Sequence, residues 1–183
     1  IIAQDAQSRI SAYNTEDGAR IWLTETVPAG EDETVIPGGL GYSQGMLYVT
    51  GGYNEALALD PATGEIKWRS DLPAVSRAAP TILNGRVYIT TLDNRLIALS
   101  AEDGSRLWQH KGLPEQSGVI GTASPAANQD IVVPGYSSGE IYALRVENGS
   151  QAWSENLAPV RRSGGIQGLA DISGHPVIDN NLV

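Results

Sequence analysis

"ALDPATGEIKW", residues 58–68, decides the fold. Its alanine stands six residues before a glycine, and its tryptophan four residues after that glycine. The chain has four tryptophans, and all of them keep this frame: Gly18 with Trp22, Gly64 with Trp68, Gly104 with Trp108, Gly149 with Trp153. An alanine recurs with each pair, at Ala12, Ala58, Ala98 and Ala143. Aligned on the glycine, the copies read "SAYNTEDGARIW", "LALDPATGEIKW", "IALSAEDGSRLW" and "YALRVENGSQAW". The glycines are 46, 40 and 45 residues apart. A mark repeated at such spacing signals a supersecondary unit used several times over, and it is read before any chemistry.

The unit is made of strands. Leu57 and Leu59, Ile97 and Leu99, Ile66 and Trp68 alternate with other residues, the period of two that a pleated strand imposes. Helical repeats would show apolar residues at three- and four-residue spacing instead. Periods near 40–50 are typical of propeller blades, each a four-stranded antiparallel sheet. Each copy reads as the outer hairpin of a blade, with Asp17-Gly18, Thr63-Gly64, Asp103-Gly104 or Asn148-Gly149 at the turn. Asp-Gly and Asn-Gly pairs accept positive φ in tight hairpins. The alanine is expected where neighbouring sheets approach closely, and the tryptophan fills the space between blades.

An inner hairpin precedes each outer one. "APTILNGRVYITT" (79–91) has two β-rich arms around Asn84-Gly85, and "LGYSQGMLYVTGG" (40–52) and "SPAANQDIVVPGY" (124–136) share its frame. The reading is an all-β protein, a partial β-propeller over 1–183. A partial blade covers 1–24, near-complete blades cover 36–71, 79–111 and 119–157, and the start of a further blade covers 170–183. Closed propellers have roughly four to eight blades. The chain is therefore expected to be a piece of a larger ring.

Composition limits the functions. The chain has 183 residues, 41% of them hydrophobic and 18% charged, which permits a buried core and does not suit a disordered segment. Acidic residues outnumber basic ones 21 to 12, for a net charge of −9, which argues against a nucleic-acid backbone as partner. No apolar run is long enough to span a bilayer as a helix. The opening "IIAQDAQSRI" does not have the pattern of a signal peptide. With no cysteine, thiolate metal sites, disulfides and cysteine nucleophiles are out.

Several motifs have a plain structural reading. Gly41-Tyr42-Ser43-Gln44-Gly45 matches the G-x-S-x-G nucleophile elbow, but that elbow needs a helix after the turn, and "MLYVTGG" is strand-like. His110 and His175 lie in different repeats, with no acidic cluster at ligand spacing, so they read as surface or packing residues. Asp60 and Asp103 sit in hairpin turns, where aspartate bonds the backbone. Asn148-Gly149-Ser150 matches a glycosylation sequon and is also the repeat's turn. No metal or cofactor site is expected from these residues.

Two inter-blade connections, "GLPEQSGVIGTASPA" (112–126) and "APVRRSGGIQGLADISGHP" (158–176), do not follow from the repeat. Loops on a rigid scaffold are where recognition is usually placed. Val119 and Ile120 are apolar in a Gly- and Ser-rich loop, and both readings stand for them: a cap on the core beneath, or a contact for a partner.

The repeat, an alanine, then glycine six residues on and tryptophan four beyond it, resembles that of quinoprotein (PQQ-type) propellers across essentially the whole chain. Within that superfamily the chain is similar to the BamB family. The carriers are the 112–126 connection, "GEIYALRVENGSQAW" (139–153) and "GGIQGLADISGHPVIDNNLV" (164–183), with Ile166, Leu169, Asp171 and Pro176 in the pattern of the last segment. The resemblance implies a non-enzymatic propeller of about eight blades, bound to a POTRA domain of BamA, with unfolded outer-membrane proteins as clients. It implies the periplasmic face of the outer membrane, with a lipid anchor on an N-terminal segment that this sequence does not include. It places the partner contact at Val119, Ile120 and Gly121 and at Asp171 and Ser173. Ile120 stands where the family has arginine, Ser117 where it has leucine, and Ser173 where it has a second acid. Two alternatives remain: a PQQ- and calcium-dependent quinoprotein dehydrogenase, whose usual Cys-Cys pair and clustered acidic ligands are not seen here, or a repeat protein binding something else.

Overall fold

The computed structural model of the chain describes residues 1–28, 30, 36–114, 122–157, 172, 174–179, 182 and 183. The described residues form fifteen strands in four antiparallel sheets. The first has three strands, β1 (Ile2–Gln4), β2 (Arg9–Tyr13) and β3 (Arg20–Glu25). The next is β4 (Leu40–Ser43), β5 (Met46–Thr50), β6 (Glu55–Leu59) and β7 (Ile66–Asp71). Then come β8 (Thr81–Leu83), β9 (Arg86–Thr91), β10 (Arg95–Ser100) and β11 (Arg106–Lys111). The last is β12 (Ala126–Ala127), β13 (Ile131–Val133), β14 (Glu140–Arg145) and β15 (Gln151–Asn156). Strands pair in sequence order, and no helix occurs among the described residues. The first strands β4, β8 and β12 approach one another from sheet to sheet, as the inner strands of propeller blades do.

The core lies between sheets. Ile10, Leu47, Val49, Leu57 and Leu59 join the first sheet to the second. Tyr48, Ala58 and Trp68 pack with Val87, Ile89, Ile97 and Leu99 of the third. Tyr88, Ala98 and Trp108 pack with Val132, Tyr136 and Leu144 of the fourth. Each sheet thus covers one face of the next, the nearest-neighbour packing that defines repeat proteins.

The Ala–Gly–Trp frame has a definite geometry. Each alanine sits directly across from its tryptophan, Ala12 from Trp22, Ala58 from Trp68, Ala98 from Trp108 and Ala143 from Trp153, and a β-bulge follows each alanine. The tryptophan then reaches forward to the turn of the next sheet. Trp22 Nε1 donates to Pro61 O at 3.0 Å, Trp68 Nε1 to Ala101 O at 3.1 Å and Trp108 Nε1 to Val146 O at 2.9 Å. Each acceptor stands three residues before the repeat glycine of the following sheet. The glycine is needed twice over. Its φ is +75° at Gly64, +73° at Gly104 and +71° at Gly149, and a Cβ at Gly104 would lie 2.6 Å from Trp68 Cε3.

The outer turn differs from the tight hairpin expected. Only the glycine takes positive φ; Asp17, Asp103 and Asn148 do not. The glycine N–H bonds four residues back, Gly64 to Asp60 O at 2.8 Å and Gly104 to Ser100 O at 2.9 Å, which makes a wider turn. Asp and Asn serve there as acceptors. Asp17 takes the Ala19 N–H at 2.9 Å, Asp103 that of Ser105 at 3.0 Å and Asn148 that of Ser150 at 2.9 Å. These are side-chain mimics of a backbone turn. Two inner hairpins use the primed pair: Gln44 and Gly45 have φ +50° and +80°, Asn84 and Gly85 +49° and +73°. The third, between β12 and β13, has no positive φ and is closed by Asn128 Oδ1, which accepts from Asp130 N and Ile131 N at 2.9 Å. Ser43 ends β4 at the Gln44-Gly45 turn and β5 follows it, so the segment has no strand–turn–helix elbow.

Candidate functional site

One rim of the sheets carries both the turns between second and third strands and the inter-blade connections. Backbone bonds tie the two together: Leu72 N to Asn54 O at 2.6 Å, Gly112 N to Asn94 O at 2.8 Å and Leu157 N to Gly139 O at 2.8 Å. In the first sheet Thr26 Oγ1 donates to Ser8 O in the same place. Ser8, Asn54, Asn94 and Gly139 all have positive φ, between 56° and 78°, and each stands ten residues ahead of a repeat glycine. This second mark of the repeat was open to sequence reading and was missed there. Its identity varies, since serine, asparagine and glycine all serve where a left-handed residue is tolerated.

Between the third and fourth sheets the rim is held by a polar and aromatic joint. Asn94 Nδ2 donates to Leu113 O at 2.8 Å, and Asn94 Oδ1 accepts from Ser137 N at 3.0 Å and Ser137 Oγ at 2.8 Å. Glu140 accepts from Leu113 N at 3.2 Å, Ser138 Oγ at 3.1 Å and the Tyr142 hydroxyl at 3.0 Å. His110 stacks on Tyr136 with ring planes 7° apart and tilts against Tyr142 at 4.6 Å, and its Nδ1 lies 3.0 Å from the Tyr136 hydroxyl. Burial pushes His110 down from its ordinary value, opposed by the Glu140 charge. Burial likewise pushes the Tyr136 hydroxyl up, so it stays protonated. The joint is a packing element, in keeping with the sequence reading of His110. Among the described residues no three His, Cys, Asp or Glu side chains stand together as a metal site.

Val119, Ile120, Gly121, Asp171 and Ser173 lie outside the described residues. Their described neighbours are placed on this rim. Ser124 N donates to His175 Nδ1 at 2.8 Å, which joins the end of the 112–126 connection to the end of the 158–176 connection. Ile172, the residue between Asp171 and Ser173, donates its N–H to Tyr136 O at 3.2 Å. It also packs so closely on Gly135 that a Cβ there would lie 2.8 Å from Ile172 Cγ2. On the other side, Arg77 N donates to Thr122 Oγ1 at 3.3 Å. Three successive connections are therefore bonded in series around the rim. Sequence reading gave no weight to Arg77, because the 72–80 connection is short and looks like a plain link.

The sequence model for the family described as outer membrane protein assembly factor BamB matches residues 6–183. The outer membrane protein assembly factor BamB of Nitrosomonas eutropha is 27% identical over 179 residues, which is 98% of this chain and 42% of that protein. The crystal structure of BamB from Moraxella catarrhalis superposes with a TM-score of 0.83 at 27% identity, covering 98% of this chain and 55% of the other. A quinoprotein ethanol dehydrogenase of Pseudomonas putida is 30% identical over 133 residues, but over only 61% of this chain and 21% of its own length. The chain spans less than half the length of these curated relatives.

Proposed function

Because the chain belongs to the outer membrane protein assembly factor BamB family, we propose that it is part of a non-enzymatic scaffold that binds a POTRA domain of BamA through its inter-blade connections. The scaffold works at the periplasmic face of the outer membrane, held there by a lipid anchor, with unfolded outer-membrane proteins as clients. The observation that carries the reading is the Ser124–His175 bond. It supports a single patch, because the ends of the two candidate loops meet on one rim. Val119 supplies the apolar contact and Asp171 a charge-assisted hydrogen bond, the mix of apolar centre and polar flank found in modest protein interfaces. Ile120, Gly121 and Ser173 complete the patch. The net charge of −9 suits a partner with basic groups at its edge.

The test is a titration of the full-length parent protein with its cognate BamA POTRA fragment. Val119→Asp places an unpaired charge in the contact and is expected to weaken binding by at least about 2 kcal/mol with the fold intact. Asp171→Ala weakens it less. If both variants bind as tightly as the parent, the patch is misplaced.

A further inference from the structure

We propose that Arg77 is a recognition residue that extends the rim surface by one inter-blade connection and donates to a carboxylate of the bound protein. The inference rests on the protein-binding reading above. Pro80, Pro125 and Pro176 open successive blades, and Arg77, Thr122 and Ser173 each stand three residues before one of them. Arg77 thus occupies, in the connection before the two candidate loops, the repeat position that Ser173 holds in the last. Its connection adjoins theirs through the Arg77 N–Thr122 Oγ1 bond.

The backbone around Arg77 is held firmly. Ser76 and Ala78 are buried, Thr50 Oγ1 donates to Ala78 O at 2.8 Å, and Leu92 N donates to Val75 O at 2.9 Å. The side chain is half-buried. Its Nε is buried with no hydrogen-bond partner, and no carboxylate lies within 4.0 Å among the described residues. Arg9, Lys67, Arg69 and Arg95 have one, in Asp5, Glu65, Glu55 and Asp93, whereas Arg20, Arg86, Arg106, Lys111 and Arg145 have none among the described residues; what sets Arg77 apart, with Arg86, is the buried Nε. Arg86 Nε also lacks a partner, but Arg86 stands at the inner hairpin on the opposite rim, away from the candidate loops.

The buried Nε is closed to a docking protein, so the contact falls to the terminal nitrogens of the guanidinium, which are not among the buried unpartnered atoms. The planar fork matches the two oxygens of a carboxylate, and part of its freedom is already spent on a fixed backbone. An aspartate or glutamate of the partner is therefore the ligand that fits.

The experiment compares Arg77→Gln, Arg77→Lys and Val119→Asp in the full-length parent, titrated with the cognate BamA POTRA fragment at about 0.05 and 0.5 M salt. Arg77→Gln is expected to bind about tenfold more weakly at low salt and to lose much of the salt dependence, with its unfolding midpoint unchanged. Arg77→Lys, which keeps the charge without the fork, is expected between the two. Parent-like affinity and salt dependence in Arg77→Gln, with Val119→Asp weakened, overturns the Arg77 proposal and leaves the protein-binding reading standing. A lowered unfolding midpoint with parent affinity also overturns it, because Arg77 then serves the fold. Parent affinity in all three variants overturns both.

Discussion

Trp108 and Trp153 have the same local structure and different surroundings. Each is paired across the strand with an alanine, Ala98 or Ala143, ahead of a bulge. Trp108 is 9% exposed, donates to Val146 O and lies against Gly149 of the next sheet. Trp153 is 41% exposed, in a strand exposed along its whole length. No described residue after it supplies a turn for it to dock on. The first sheet shows the counterpart: a Cβ at Gly18 would meet nothing within 4 Å, whereas those at Gly64, Gly104 and Gly149 would strike a tryptophan. The tryptophan is thus buried by the blade that follows, not by its own, so the interface between neighbours is the unit of stability.

The comparison can be broken most directly at the tryptophans. In the 183-residue chain, Trp108→Ala is expected to cost about 3–5 kcal/mol, the range for emptying a core aromatic site. Trp153→Ala is expected to cost less than about 1 kcal/mol, as at an exposed position. Urea denaturation measures both, and equal losses would mean that the dock contributes nothing of its own. The glycines sharpen it. Gly104→Ala meets both a left-handed φ and the Trp68 ring, for about 2–4 kcal/mol, while Gly18→Ala meets the φ alone, for about 1–2 kcal/mol. The difference between the two isolates the tryptophan contact.

The smallest effect concerns pH. His110 is held below its ordinary value by burial against Tyr136 and Tyr142, with Glu140 the one charge opposing this. The unfolded chain then binds more protons than the fold near and below the usual histidine range. Stability should therefore decline as pH falls through about 6.5 and level off below the folded value. His110→Gln should flatten that part of the profile. An unchanged slope would assign it to the carboxylates instead.

The strand pattern and the Ala–Gly–Trp frame were legible in the sequence because they follow from short-range rules. Leu57 and Leu59 alternate within one strand, and Gly104 is set by the φ of its own turn. The rim was less legible. The left-handed mark at Ser8, Asn54, Asn94 and Gly139 escaped notice because three residue types share it. His110 gave no sign of its aromatic neighbours, since Tyr136 lies 26 residues away on another sheet. Arg77 is one arginine in a short link until Thr122 is seen beside it.

By itself, then, the sequence determined an all-β chain of repeated antiparallel sheets, with the outer turns and their glycines in place. Alternation, turn chemistry and positive φ are settled within a few residues. Only the tertiary structure decided that each tryptophan donates to the turn of the following sheet, across 39, 33 and 38 residues. It alone decided that three connections meet on one rim and that Arg77 stands there beside Thr122. Those facts depend on how separate sheets stack, and no stretch of one sheet contains its neighbour's face.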